Sequence, residues 1–107
     1  MNVKSLNTLL KSLGIPVAYR VFQTPQTLPY IVFFLDDSDN EFADNSVYKK
    51  CNAWIVELYT DTKNPPLERQ LEAILPPWNK VETYIDSEKM FQIAYSFESY
   101  ETEETNG

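Results

Sequence analysis

At 107 residues, with two glycines and one cysteine, the chain has room for a single hydrophobic core. It lacks the material for flexible linkers, collagen-like repeats, glycine-rich phosphate loops or an internal disulfide. Its 16 acidic residues outweigh 9 basic ones for a net charge of −7, which argues against sequence-specific or other direct binding of nucleic acid, because that binding depends on Lys and Arg neutralising phosphates.

Val3, Leu6, Leu9, Leu10 and Leu13 recur at helical spacing and form one apolar stripe. Gly14 supplies a left-handed stop, and Pro16 cannot continue the helix. Val17 to Phe22 alternates as a strand, and the two prolines between Gln23 and Pro29 break the pattern. Tyr30 to Leu35 is apolar on both faces and predicts a central strand covered on each side. Asp36 to Ser46 is polar and acidic and reads as a loop or a long hairpin connection. Val47 to Tyr59 follows as the longest strand, with Trp54, Val56 and Leu58 on one face, Cys51, Ala53 and Ile55 on the other, and Glu57 turned towards water.

Asn64-Pro65 marks the start of a second helix: Asn caps well, and Pro fits the first helical position, where its missing N–H would be unpaired anyway. Leu67, Leu71, Ile74 and Leu75 give the apolar face, and Pro76-Pro77 ends it. Val81 to Ile85, the turn Asp86 to Lys89, and Met90 to Phe97 read as a closing hairpin, the last strand being the cleanest half-buried alternation in the chain. Residues 99–107, with Glu101, Glu103 and Glu104, are expected to form an acidic flexible tail outside a domain of residues 1–98. The order α-β-β-β-α-β-β lacks βαβ alternation. It therefore predicts an α+β fold, with a mostly antiparallel sheet of about five strands and two helices packed on one face.

Little in the chain points to chemistry. Without histidine there is no Ser-His-Asp or Cys-His nucleophile and no histidine metal site. Cys51 reads as an inert packed or half-packed thiol, the alternative being a thiol perturbed by nearby Lys49 and Lys50. Asp36, Asp37, Asp39, Glu41 and Asp44 resemble a calcium loop only superficially. Phe42 falls where an EF-hand needs glycine, and Tyr48 where it needs the bidentate Glu. The cluster reads as a solvated loop, or at most as a loose cation site between subunits. Neither Asp86 and Glu88 in a turn nor the glutamates of the tail are expected to be buried or shifted in pKa, so no catalytic residue, cofactor or metal is expected. Trp78, after Pro76-Pro77, either closes the second helix over the core or anchors a contact with a neighbouring subunit. No apolar stretch approaches the roughly 20 residues that span a bilayer. Nor does the N-terminus carry a signal-peptide pattern, so a soluble protein made inside the cell, without a membrane partner, is expected.

The helix end Leu13-Gly14-Ile15-Pro16-Val17, the strand tyrosines Tyr19 and Tyr30, the run Trp54 to Lys63 leading into Leu67-Glu68, and the hairpin Tyr84 to Ile93 carry a resemblance. Together they resemble the small tail-terminator or tail-completion proteins of long-tailed phages and prophages, also called tail-to-head joining proteins. The resemblance covers most of the chain. It implies a virion subunit made in the bacterial host cytoplasm, assembled as a homo-oligomeric ring, typically a hexamer, between the tail-tube and head-connector proteins, with no catalytic residues. Trp78 and the acidic residues Asp36, Asp37, Asp39, Glu41 and Asp44 are then candidate interface residues, the acids lining a DNA channel or facing solvent. The alternatives are a different small head-tail connector, or an acidic interaction module such as an adaptor or DNA mimic.

Overall fold

Helix α1 (Val3–Lys11) begins where Asn2 and Ser5 cap it reciprocally: Ser5 N donates to Asn2 Oδ1 at 2.8 Å, and Asn2 N donates to Ser5 Oγ at 2.9 Å. Gly14, at φ +80°, takes the left-handed conformation that ends the turn. Helix α2 (Pro65–Ile74) starts as the sequence predicts, with Leu67 N donating to Asn64 Oδ1 at 3.2 Å and Pro65 at its first position. The computed structural model describes residues 1–42 and 48–102. Besides the helices it contains β1 (Val17–Tyr19), β2 (Tyr30–Phe42), β3 (Tyr48–Thr60), β4 (Asn79–Ile85) and β5 (Met90–Thr102), so the molecule is α+β.

The five strands form one sheet in the order β1-β2-β3-β5-β4, parallel only between β1 and β2. Across β2, β3 and β5 the register sets Phe33 opposite Val56 and Val56 opposite Tyr95, and likewise Ile31, Leu58 and Ile93 in a row. These side chains are buried in one cluster with Trp54 and Phe97, and Leu6 and Leu10 of α1 and Leu67 and Leu71 of α2 belong to the same cluster. The alternate residues Val32, Phe34 and Ile55 are only half-buried. The expectation that Tyr30 to Leu35 would be covered on both sides is therefore corrected. Continuous apolarity here reflects one core face and one partly wet face.

Three boundaries also differ. β1 stops at Tyr19, because Arg20 adopts φ +69° and Val21 N turns back to Tyr19 O at 2.8 Å. The acidic stretch from Asp36 to Phe42 is not a loop. It continues β2, pairing with β3 as far as Phe42 opposite Tyr48, after a bulge between Leu35 and Asp37. β5 likewise runs to Thr102, so its pairing with β3 takes up Ser99 to Thr102, which read as tail. In both cases hydrogen-bonded pairing to a long partner strand overrides a composition poor in strand formers.

Two substitutions check this core. Leu58→Ala, at a site with no solvent exposure, is expected to lower unfolding free energy by about 2–5 kcal/mol in urea titration with an unchanged m-value. Thr60→Val removes a buried hydroxyl that has no hydrogen-bond partner and is expected to raise stability by about 1 kcal/mol in the same assay.

Candidate functional site

The parallel pairing of β1 with β2 forces the chain back across the sheet between Arg20 and Pro29. The segment Arg20 to Gln26 overhangs the half-exposed face and forms one wall of a groove of ≈ 540 Å³, floored by Tyr30, Val32, Glu57 and Tyr59 and closed at its far end by Ile85, Glu88 and Met90. Tyr30 stacks on Tyr59 with centroids 5.1 Å apart, and Phe22 meets Tyr30 edge-on at 5.4 Å. Gln92 Nε2 donates to Tyr59 OH at 2.8 Å, and Tyr59 OH donates to Glu57 Oε1 at 2.8 Å. Burial, the largest influence, pushes the Tyr59 hydroxyl up to about 12, with Glu57 adding and Gln92 opposing. The hydroxyl therefore stays protonated and holds the Glu57 carboxylate in place.

A second polar cluster joins α2 to the edge strand β4. Glu68 is 3% exposed. Its carboxylate accepts from Lys63 Nζ at 2.8 Å and from Lys80 Nζ at 2.8 Å. Lys80 Nζ also meets Glu72 Oε2 at 2.7 Å, Tyr95 OH donates to the same oxygen at 2.7 Å, and Lys63 pairs with Glu82. Burial acts most strongly on Glu68 and on Glu72 and would raise both carboxyls. Hydrogen bonds from Lys63 and Lys80 to Glu68, and from Lys80 and Tyr95 to Glu72, outweigh it and hold both below the usual carboxylate range. Hydrogen bonds to Glu68 and Glu82 hold Lys63 above its ordinary value; Lys80 is also raised, its bonds to Glu68 and Glu72 outweighing burial. Burial and the bond to Glu72 push Tyr95 upward. Every charge in the cluster has an opposite partner, so the arrangement ties helix to sheet; it offers no free acid or base.

The sequence-predicted interface residues lie elsewhere. Asp36 is exposed at the bulge and lines a shallow ≈ 430 Å³ depression with Pro77, beside Trp78. Trp78 is half-buried, edge-on to Tyr95 at 5.4 Å and packed against the core. Asp37, Asp39 and Glu41 fall in β2 opposite Ala53, Cys51 and Lys49, while Asp44 lies outside the described residues. Cys51 is buried in β3.

Glu68 is a buried carboxylate that the sequence reading, which weighed only Asp86, Glu88 and the glutamates of the tail, did not consider. A signal was present: Glu68 and Glu72 stand one helical turn apart, a repulsive spacing unless a cation lies between them, as Lys80 does. Glu57 was read as leaving for water; it is half-buried and accepts from Tyr59, whose ring stacks on Tyr30 of another strand. No family model matches the chain, and no curated protein matches it in sequence.

The pKa directions set the pH response. A carboxyl held low when folded contributes fully above its unfolded value near about 4.3 and loses that contribution as pH falls through the folded value. An ammonium held high contributes fully below about 10.4 and loses it as pH rises through the folded value. Stability should therefore be flat at neutral pH and fall on acidification below about pH 4. Lys80→Met is expected to cost about 2 kcal/mol at pH 7, with the gap to the unaltered chain closing near pH 2 in urea melts across pH.

Proposed function

We propose that the chain is a non-enzymatic structural subunit of a phage tail, which caps the tail tube and joins tail to head as an oligomeric ring, by resemblance a hexamer. The observation that carries this reading is a three-stranded ribbon. β2 from Asp37, β3 up to Ala53 and β5 from Glu98 run on past Phe33, the last residue paired by β1, and past Ser96, the last paired by β4. Among the described residues, no strand of the chain pairs with the outer edges of that ribbon. An edge on one subunit and a different surface on the next make a heterologous contact, and such contacts generate rings when the rotation closes.

Two further features support assembly. On this reading both helices pack on one face of the sheet, since their leucines enter one cluster. The opposite face keeps Phe34 and Ile55 half-exposed and Val81 largely exposed. The excess of acidic residues keeps free subunits apart and lets DNA pass without adhering.

The acidic-module alternative gains one observation of its own. Asp37, Asp39 and Glu41 occupy alternate positions of a strand and not of a loop, about 7 Å apart along the backbone, and a DNA mimic needs its acids on a folded element. Competition for a duplex-binding protein would favour that reading.

Light scattering over a concentration series is expected to show a monomer passing to a closed ring of fixed mass. Deleting the gene from the phage should leave overlong tubes and unjoined heads, with joining restored by the supplied protein. Tubes of normal length without joining would instead indicate a connector, and a chain that stays monomeric and restores nothing would refute the assembly reading.

A further inference from the structure

The groove under the Arg20–Gln26 segment combines three things that a simple half-wet sheet face does not need. The first is a fixed carboxylate. Glu57 makes no ion pair among the described residues, and it accepts from the Tyr59 hydroxyl through Oε1, which leaves the second carboxylate oxygen for another donor. The second is space beside it. Its cross-strand neighbours are Val32 and Ala94, neither long enough to cover the carboxylate. The third is an aromatic lining, Phe22 against Tyr30 and Tyr30 against Tyr59.

The charge in the groove is net acidic, with Glu57 and Glu88 against Arg20. Arg20 is committed at the rim. Its Nη2 donates to Leu35 O at 3.3 Å, and its guanidinium lies 5.5 Å and 5.7 Å from the ring centroids of Tyr19 and Phe34. The groove's own arginine thus packs on aromatic rings of this sheet without using the Glu57 carboxylate.

We propose that this groove receives an arginine side chain from a basic segment of a partner protein, its guanidinium on the Glu57 carboxylate and its plane against the Tyr30–Tyr59 aromatic pair. A guanidinium fits better than an ammonium, because it is planar and stacks on aromatic faces while one of its N–H groups donates to the carboxylate. The groove of ≈ 540 Å³ has room for a side chain with its flanking backbone. The partner is basic where this chain is acidic, so long-range attraction and the local contact act together. This surface is separate from the ribbon edges that carry the assembly reading, and either can fail without the other.

The test is a titration of the full chain with N-acetyl-arginine amide, followed by amide NMR shifts at low ionic strength, with N-acetyl-norleucine amide as the neutral control. Saturable shifts are expected at Phe22, Val32, Glu57 and Tyr59 with the arginine compound, and binding about tenfold weaker with norleucine or with Glu57→Gln. Glu57→Gln keeps an acceptor for Tyr59, and the same spectra report whether it is folded. Should it not fold, the arginine and norleucine comparison on the unaltered chain decides. Equal binding of the two compounds, shifts outside the groove, or unchanged binding by folded Glu57→Gln would overturn the proposal. So would groove shifts that arise on concentrating the protein alone, which would make a second copy the occupant.

Discussion

Two helices of 9 and 10 residues must supply the helical side of a core for strands that reach 13 residues. At about 1.5 Å per helical residue and about 3.3 Å per strand residue, the helices span roughly 15 Å against roughly 43 Å of strand. The buried cluster accordingly occupies a limited length of the sheet, on β3 from Trp54 to Leu58. Beyond it the strands hold together by pairing, and the ribbon of β2, β3 and β5 follows from that mismatch.

The edge strand β4 shows how the fold manages the rim of this core. Its register puts Lys80 opposite Tyr95 and Glu82 opposite Ile93, so its charged residues meet α2 and Val81 is left 63% exposed. A buried Glu68 would be costly alone, since desolvation disfavours its charge. Lys63 and Lys80 satisfy it from two directions, and Glu72, Glu82 and the Tyr95 hydroxyl satisfy the lysines and close the network. Such a network selects one position of helix against strand, whereas apolar contacts alone would tolerate sliding. Trp78 sits beside it, edge-on to Tyr95.

Much of the fold was legible in the chain, for local reasons. Helix starts and stops are set by a few neighbouring residues, so Asn64-Pro65 and Gly14 marked their boundaries correctly. Strand alternation from Met90 to Phe97 reflects burial on one face, and Ile93, Tyr95 and Phe97 are buried as it required. The extensions of β2 through Asp37, Asp39 and Glu41 and of β5 to Thr102 were not legible. Neither segment carries a hydrophobic pattern, and each is strand because β3 offers its backbone groups a partner.

The candidate groove was less legible than the fold. Glu57, Tyr59 and Tyr30 are each unremarkable in sequence, and their meeting depends on the β2–β3 register and on the return of the chain across the sheet. The sequence by itself determined the element order, the helix caps, the inward residues of β3 and β5, and the absence of histidine or paired-cysteine chemistry, because each follows from local geometry or residue inventory. Tertiary structure alone decided which carboxylates are buried, which aromatics stack and how far the strands run. Those outcomes depend on partners distant in the chain, and pairing between distant residues leaves no periodic trace in either of them.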